Sequence, residues 1–142
     1  MREPFTQLYV HVVWSTWDRL PLLTDDIREA VFSAIAVKCR EMKCKPLAIG
    51  GIDNHVHVLV RFLPTLMISE LVQAIKGCSS HLVTHVLKPG AYFKWQGGYS
   101  AYTLRDEEVE QVRKYIENQA RHHADQSLAS AWESHLQEET SG

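Results

Sequence analysis

Leu47-Ala-Ile-Gly-Gly-Ile-Asp-Asn-His-Val-His-Val-Leu-Val-Arg-Phe62 is the stretch on which the architecture turns. Its second half alternates strictly: Val56, Val58, Val60 and Phe62 fall on one side of an extended chain, His55 and His57 on the other. That period of two marks a strand with one face turned into a core. Asp53-Asn54 is a two-residue turn signal, so this strand folds back on Leu47–Ile52 as a hairpin. Gly50-Gly51 interrupts the first arm.

Upstream, Leu8, Val10, Val12 and Trp14 alternate with Gln7, Tyr9, His11 and Val13, which predicts a half-buried strand. Ser15 to Leu23 reads as a loop with Asp18-Arg19 at its tip. Thr24 is a good N-cap, with Asp25 and Asp26 at the positive end of the helix that follows. Ile27, Val31, Ala34, Ile35 and Met42 recur at helical spacing to about Lys43, and Pro46 ends that helix. Downstream of the hairpin, a second helix after Pro64 carries Leu71, Val72, Ile75, Cys78, Leu82 and Val86 and stops before Pro89-Gly90. Tyr99–Leu104 predicts a strand, and Asp106 caps a third helix reaching about His123. A short helix is expected within Ser127–Leu136. The order β-α-β-β-α-β-α predicts an α+β, ferredoxin-like sandwich: one antiparallel sheet with helices on one face, plus a C-terminal helix. Residues 1–142 read as one domain, with an ordered core of about 5–124 and a tail of 125–142.

The composition, 45% hydrophobic and 23% charged, is that of an ordinary globular protein. No apolar run approaches the roughly 20 residues that span a bilayer. Met1-Arg2-Glu3-Pro4 lacks the basic-then-apolar order of a secretory signal, so a cytoplasmic location is expected. Three cysteines, Cys39, Cys44 and Cys78, without a CxxC pair, make a disulfide framework or thiolate zinc site a poor fit. The net charge of −2 is unevenly spread: residues 1–105 carry +4 and residues 106–142 carry −6. A modestly basic body permits a phosphate-bearing partner without requiring one.

Two places hold residues suited to chemistry. In a strand, His55 and His57 point to the same side about 6.5–7 Å apart, close enough for both imidazoles to reach one ion. The same spacing equally suits two solvent-facing histidines. On the third helix, Val109, Val112, Ile116 and Ala120 form the apolar stripe, and Tyr115, Gln119 and His122 stack on an adjacent flank. Tyr115 there is either a partly buried aromatic or a nucleophile, and Gln119 can offer an amide oxygen to the same ion.

Five blocks in order, His11-Val-Val-Trp-Ser-Thr, Gly51-Ile-Asp-Asn-His-Val-His-Val-Leu-Val, Lys76-Gly-Cys-Ser-Ser, Trp95-Gln-Gly-Gly-Tyr-Ser-Ala-Tyr and Tyr115-Ile-Glu-Asn-Gln-Ala-Arg-His-His, resemble the single-tyrosine transposases of small bacterial insertion sequences. These include transposases associated with repetitive extragenic palindromes, and they belong to the His-hydrophobic-His nucleases. The resemblance runs from about Leu8 to His123. Ser100 and Tyr102 stand where the family pattern has Gly and Phe.

What the resemblance implies is specific. His55, His57 and Gln119 would hold a divalent ion, Mg²⁺ or Mn²⁺, and Tyr115 would be the nucleophile. The activity would be cleavage and rejoining of single-stranded DNA at hairpin-marked element ends, through a 5′-phosphotyrosine. The protein would be a homodimer, with the tyrosine helix of one subunit able to complete the site of the other. Trp17, Arg19, Lys76, Arg105, Arg113 and Lys114 are candidates for DNA contact, and Tyr92, Phe93 and Trp95 are further aromatics that could stack bases, whereas Trp14 shares the apolar face of the first strand and reads as core. His11 faces away from the first strand's core, where it could neighbour the site, and is given no role. Two other readings stay open: a hairpin-binding protein taken over by the host, and a metal phosphoesterase acting on a small substrate.

Overall fold

The computed structural model describes residues 4–119. Within it the elements are β1 (Leu8–Ser15), α1 (Asp25–Glu41), β2 (Lys45–Gly51), β3 (His55–Phe62), α2 (Ile68–Leu82), β4 (Ser100–Leu104) and α3 (Val109–Glu117). The four strands form one antiparallel sheet in the order β2-β3-β1-β4. This is the expected ferredoxin-like α+β arrangement. The predicted continuation of the last helix, with Ala120, His122 and His123, and the short helix within Ser127–Leu136 lie outside the described residues.

The alternation read from β1 and β3 sorts their side chains to two faces. Val10, Val12 and Trp14 of β1 and Val56, Val58 and Val60 of β3 are fully or almost fully buried against α1 and α2. From α1 come Ile27, Val31, Ile35 and Cys39, and from α2 come Leu71, Val72 and Ile75. Each such aliphatic side chain contributes roughly 1.5–3 kcal/mol by leaving water. Trp14 belongs to this core, edge-on to Trp95 at 5.7 Å, and Phe93 packs edge-on to Trp95 at 4.9 Å. Neither Phe93 nor Trp95 is therefore open to a stacked base, contrary to expectation. The Trp95 indole donates a buried hydrogen bond to Ser79 Oγ at 3.0 Å.

The opposite face is smaller and is covered by α3. Ala48 and Leu59 of the sheet meet Val112 and Ile116, with Leu47, Leu104 and Val109 at the margin. Tyr9, on this face of β1, donates a hydrogen bond to Asp106 at 2.8 Å and ties the sheet to the turn that starts α3. That bond, with burial second, raises the Tyr9 pKa above its ordinary value.

Several boundaries differ from the sequence reading. The sheet pairing of β2 begins at Lys45, includes Pro46 beside a register shift, and continues through both glycines. As an edge strand, β2 does not need the amide hydrogen that Pro46 lacks. The first helix ends at Glu41 through a left-handed Lys43 (φ 62°) rather than through Pro46. Thr24 holds the N-cap position, but its hydroxyl bonds to Asp26 Oδ1 at 2.5 Å and not to a helix amide. Asp106 does not cap the third helix. A 3₁₀ turn over Asp106–Glu108 precedes α3; Arg105 caps that turn, its amide donating to Glu108 Oε1 at 2.9 Å, and Glu108 stands at the N-cap of α3 itself.

Candidate active site

His55 and His57 lie on the α3 side of β3, and both are 0% exposed. The sheet register explains the setting: across β1, Ser15 stands opposite His55 and Val13 opposite His57, while Gly50 of β2 flanks His57 on the other side. Gly50 has a structural reason to be glycine. A Cβ there would lie 2.2 Å from the carbonyl oxygen of Ile116, so the missing side chain is what lets α3 settle onto the sheet. Tyr115 precedes Ile116 on that helix and Gln119 follows one turn later, so both are delivered to the histidines.

The resulting contacts are short. The ring of Tyr115 meets His57 edge-on at 5.9 Å, and the two histidine rings are 5.1 Å apart. Gln119 Oε1 is 3.1 Å from His55 Nε2, and both groups are buried. On the far side of that ring, His55 Nδ1 is 2.8 Å from Asn54 Oδ1. Asn54 is itself held, because its carbonyl accepts from the amide of Thr16 at 2.9 Å and from the Thr16 hydroxyl at 3.2 Å. The turn read in the sequence only as a hairpin signal therefore also aims an imidazole. An asparagine directly before the first histidine is the signal that could have shown it.

This arrangement has a chemical consequence. A neutral His55 that donates its Nδ1–H to Asn54 carries a lone pair on Nε2. That lone pair faces the amide oxygen of Gln119, so two acceptors stand at hydrogen-bond distance. A proton on the ring, a half-turn of the amide, or a cation between the two would reconcile them, and only the cation also makes use of the second imidazole. Among the described residues no group of three or more His, Cys, Asp or Glu is placed to hold an ion. Among the described residues, the Gln119 oxygen is the donor that stands beside this pair, 3.1 Å from His55 Nε2. Two imidazoles and an amide oxygen fit a divalent cation of borderline to hard character and leave room in its coordination for substrate oxygens.

The remaining site candidates do not gather around this centre as one patch. Trp17 is 40% exposed in the turn after β1, with the Lys94 ammonium 4.0 Å above its ring. That turn holds Asp18 and Arg19 with positive φ (52° each), an uncommon backbone for such residues. It is pinned by Trp17 N to Lys94 O at 2.9 Å and Asp18 N to Gln96 Oε1 at 3.1 Å. Lys76 donates to the carbonyls of Gln96 (2.6 Å) and Gly98 (2.9 Å), which engages two of its three protons. Burial lowers its pKa below the ordinary lysine value. Arg105 pairs with Glu107, and Arg113 pairs with Glu117 at 3.0 Å and Glu110 at 3.7 Å. Lys114 is exposed on the same helix. Tyr92 is exposed as well, whereas Trp14, Phe93 and Trp95 are not.

The family profile described as "Transposase IS200 like" matches residues 4–119. The chain belongs to the IS200-like transposases. Its enzymes cut and transfer DNA strands, and this chain is one of them. The ISDra2 transposase TnpA of Deinococcus radiodurans is 24% identical over 119 residues, covering 80% of this chain and 84% of that protein. A crystal structure described as a Deinococcus radiodurans transposase superposes with a TM-score of 0.65 at 24% identity, over 84% of this chain and 95% of that one. The structure of a REP-associated tyrosine transposase bound to a REP hairpin superposes with a TM-score of 0.61 at 16% identity, over 83% of this chain and 70% of that one. At those identities the superpositions speak for the fold of the IS200-like chain. No helix among the described residues is long and apolar enough to cross a membrane.

Proposed function

We propose that this transposase cleaves and rejoins single-stranded DNA at hairpin-marked ends, with Tyr115 as nucleophile and His55, His57 and Gln119 as holders of a divalent cation. The observation that carries the reading is the convergence, on one buried face, of Tyr115 with His57 and of Gln119 with His55. Mg²⁺ or Mn²⁺ held there supplies Lewis-acid polarisation of the scissile phosphate. The chain's own residues do the rest. The Tyr115 oxygen attacks phosphorus as its phenol proton is lost, forming a 5′-phosphotyrosine, and the departing 3′ oxygen takes up a proton. A second 3′-hydroxyl then attacks the same phosphorus, joins the strands and returns the phenol. Each step exchanges one phosphoester for another, so no nucleotide cofactor is required. Burial of the site supports the scheme, because charge on a phosphate is felt more strongly away from water.

Trp17, Arg19 and Lys94 form the surface best suited to the DNA strand. An exposed indole offers a stacking face, and the two cations lie within the same pinned pair of segments. Arg105 and Arg113 pair with glutamates of their own segments. A hairpin-bearing DNA partner in the cytoplasm and a homodimer, with sites built within or between subunits, complete the proposal. Mixing Tyr115→Phe subunits with His57→Ala subunits separates the two modes of assembly, because activity returns only if the helix works across the dimer.

The test is incubation of the protein with single-stranded DNA carrying its flanking hairpin and Mg²⁺ or Mn²⁺, followed by a denaturing gel. A metal-dependent covalent band that disappears in Tyr115→Phe is expected. A native-gel shift without a covalent band would replace the proposal with a hairpin-binding protein. Multiple-turnover hydrolysis of a small phosphodiester by Tyr115→Phe would replace it with a phosphoesterase.

A further inference from the structure

His55 and His57 are treated alike by their surroundings. The Nδ1 of His55 meets a neutral acceptor, the Asn54 amide oxygen, and so leaves Nε2 toward α3. The Nδ1 of His57 meets another histidine: His11 Nε2, at 2.8 Å. His11 is 1% exposed, on the α3 side of β1, with its ring stacked on His57 at 5.0 Å and 26° between planes. Strand β1 lies between β3 and β4, and His11 is registered beside Leu59 and Tyr102, so its backbone has no freedom to drift.

We propose that His11 is a positioning residue that fixes the tautomer of His57 by accepting its Nδ1–H. This rests on the reading of His57 as a cation ligand. Two neutral imidazoles that face each other through one nitrogen apiece share a single proton. If His57 donates, its Nε2 carries the lone pair that a cation needs. If His11 donates, the His57 proton sits on Nε2 and the ring cannot ligate. The histidine side chain in water favours the Nε2–H form, so a histidine that must bind through Nε2 needs an acceptor at Nδ1 to reverse that preference. A carboxylate is the common choice for this purpose. A neutral imidazole fixes the same tautomer without adding a negative charge beside a site meant for a phosphodiester. The chain uses neutral acceptors at both positions, Asn54 for His55 and His11 for His57.

The experiment begins with metal-free protein labelled with ¹⁵N-histidine, read by long-range proton–nitrogen correlation. Wild-type His57 is expected to show a protonated Nδ1 and an unprotonated Nε2. In His11→Leu that pattern is lost. In His11→Gln it returns, because the glutamine oxygen reaches the place of Nε2 and accepts the same proton. Mn²⁺ titration of the same proteins is expected to show affinity weakened by about 10–100-fold in His11→Leu and largely restored in His11→Gln. Thermal unfolding of the metal-free variants reports packing damage separately. An Nε2–H tautomer for His57 in the wild type would overturn the proposal without any variant. So would a His11→Leu protein with unchanged tautomer and unchanged Mn²⁺ affinity. Absence of Mn²⁺ binding by the wild type, with the expected tautomer present, would instead count against the metal reading of the site.

Discussion

Gly50→Ala isolates how closely α3 must sit for the site to exist. The added methyl would lie 2.2 Å from Ile116 O, 3.0 Å from its carbonyl carbon and 3.1 Å from its Cγ2. A carbon and a carbonyl oxygen rest no closer than about 3.3 Å, so the helix backbone must retreat by about 1 Å. The obstacle is backbone, not the end of a flexible side chain, so no rotamer change relieves it. The same retreat would stretch the 3.1 Å approach of Gln119 to His55 to about 4 Å and carry Tyr115 away from His57. Overpacking of this kind costs about 1–3 kcal/mol of stability. A displacement of about 1 Å in a reacting group costs on the order of 100-fold in rate. Single-turnover formation of the proposed covalent DNA adduct, alongside urea unfolding, measures both. Gly77→Ala is the control: it lies on α2 with nothing within 4 Å of the added methyl, and should be neutral or stabilise by about 0.5–1 kcal/mol. A Gly50→Ala protein that forms the adduct at the wild-type rate would refute the claim that the depth of α3 sets the geometry.

Trp17 and Trp95 should behave in opposite ways. Trp17→Ala is expected to weaken single-stranded DNA binding by about 1–3 kcal/mol and leave the unfolding midpoint unchanged, by fluorescence anisotropy and melting respectively. Trp95→Ala is expected to destabilise the fold by about 3–5 kcal/mol through loss of its packing on Trp14 and Phe93. Lys76 has a folded pKa below its ordinary 10.5, so its protonated form opposes folding. Stability from this group is therefore lowest below the folded pKa and rises as pH climbs from there to the unfolded value. Lys76→Met is expected to remove that alkaline rise, read from urea midpoints as the pH approaches 10.5 from below. Burial pushes the Cys39 thiol up to about 12, so iodoacetamide at about pH 8 should leave it unmodified in the native protein and label it after unfolding, by mass spectrometry.

The fold was legible because the sheet alternates. Val56, Val58 and Val60, and Val10, Val12 and Trp14, announce one buried face each, while the pairing of β1 with β3 and its register come from the sheet itself. The boundaries were less legible where one residue does two jobs. Asp106 looks like a cap, yet it accepts the Tyr9 hydroxyl and leaves the capping bond to Glu108. Pro46 looks like a breaker, but an edge strand has no use for its missing amide hydrogen. The geometry of the candidate site was legible only in part. Spacing put His55 beside His57, and Tyr115 one turn from Gln119, but nothing local joins a strand to a helix about 60 residues away. What joins them is a glycine read as an interruption. Gly50 breaks the apolar pattern of β2 because α3 passes over that point at backbone distance, a tertiary fact that a periodicity cannot carry. His11 is similar. In β1 it reads as a polar residue on the outer face, and only the antiparallel register, which sets it one strand over from His57, turns a solvent position into a buried partner. Both cases have the same cause: the outward face of this sheet is not outward, because α3 closes it. A polar residue on a strand face that the sequence also offers a tyrosine-bearing amphipathic helix to cover is thus a candidate for the interior, and its hydrogen-bond partner is the next thing to seek.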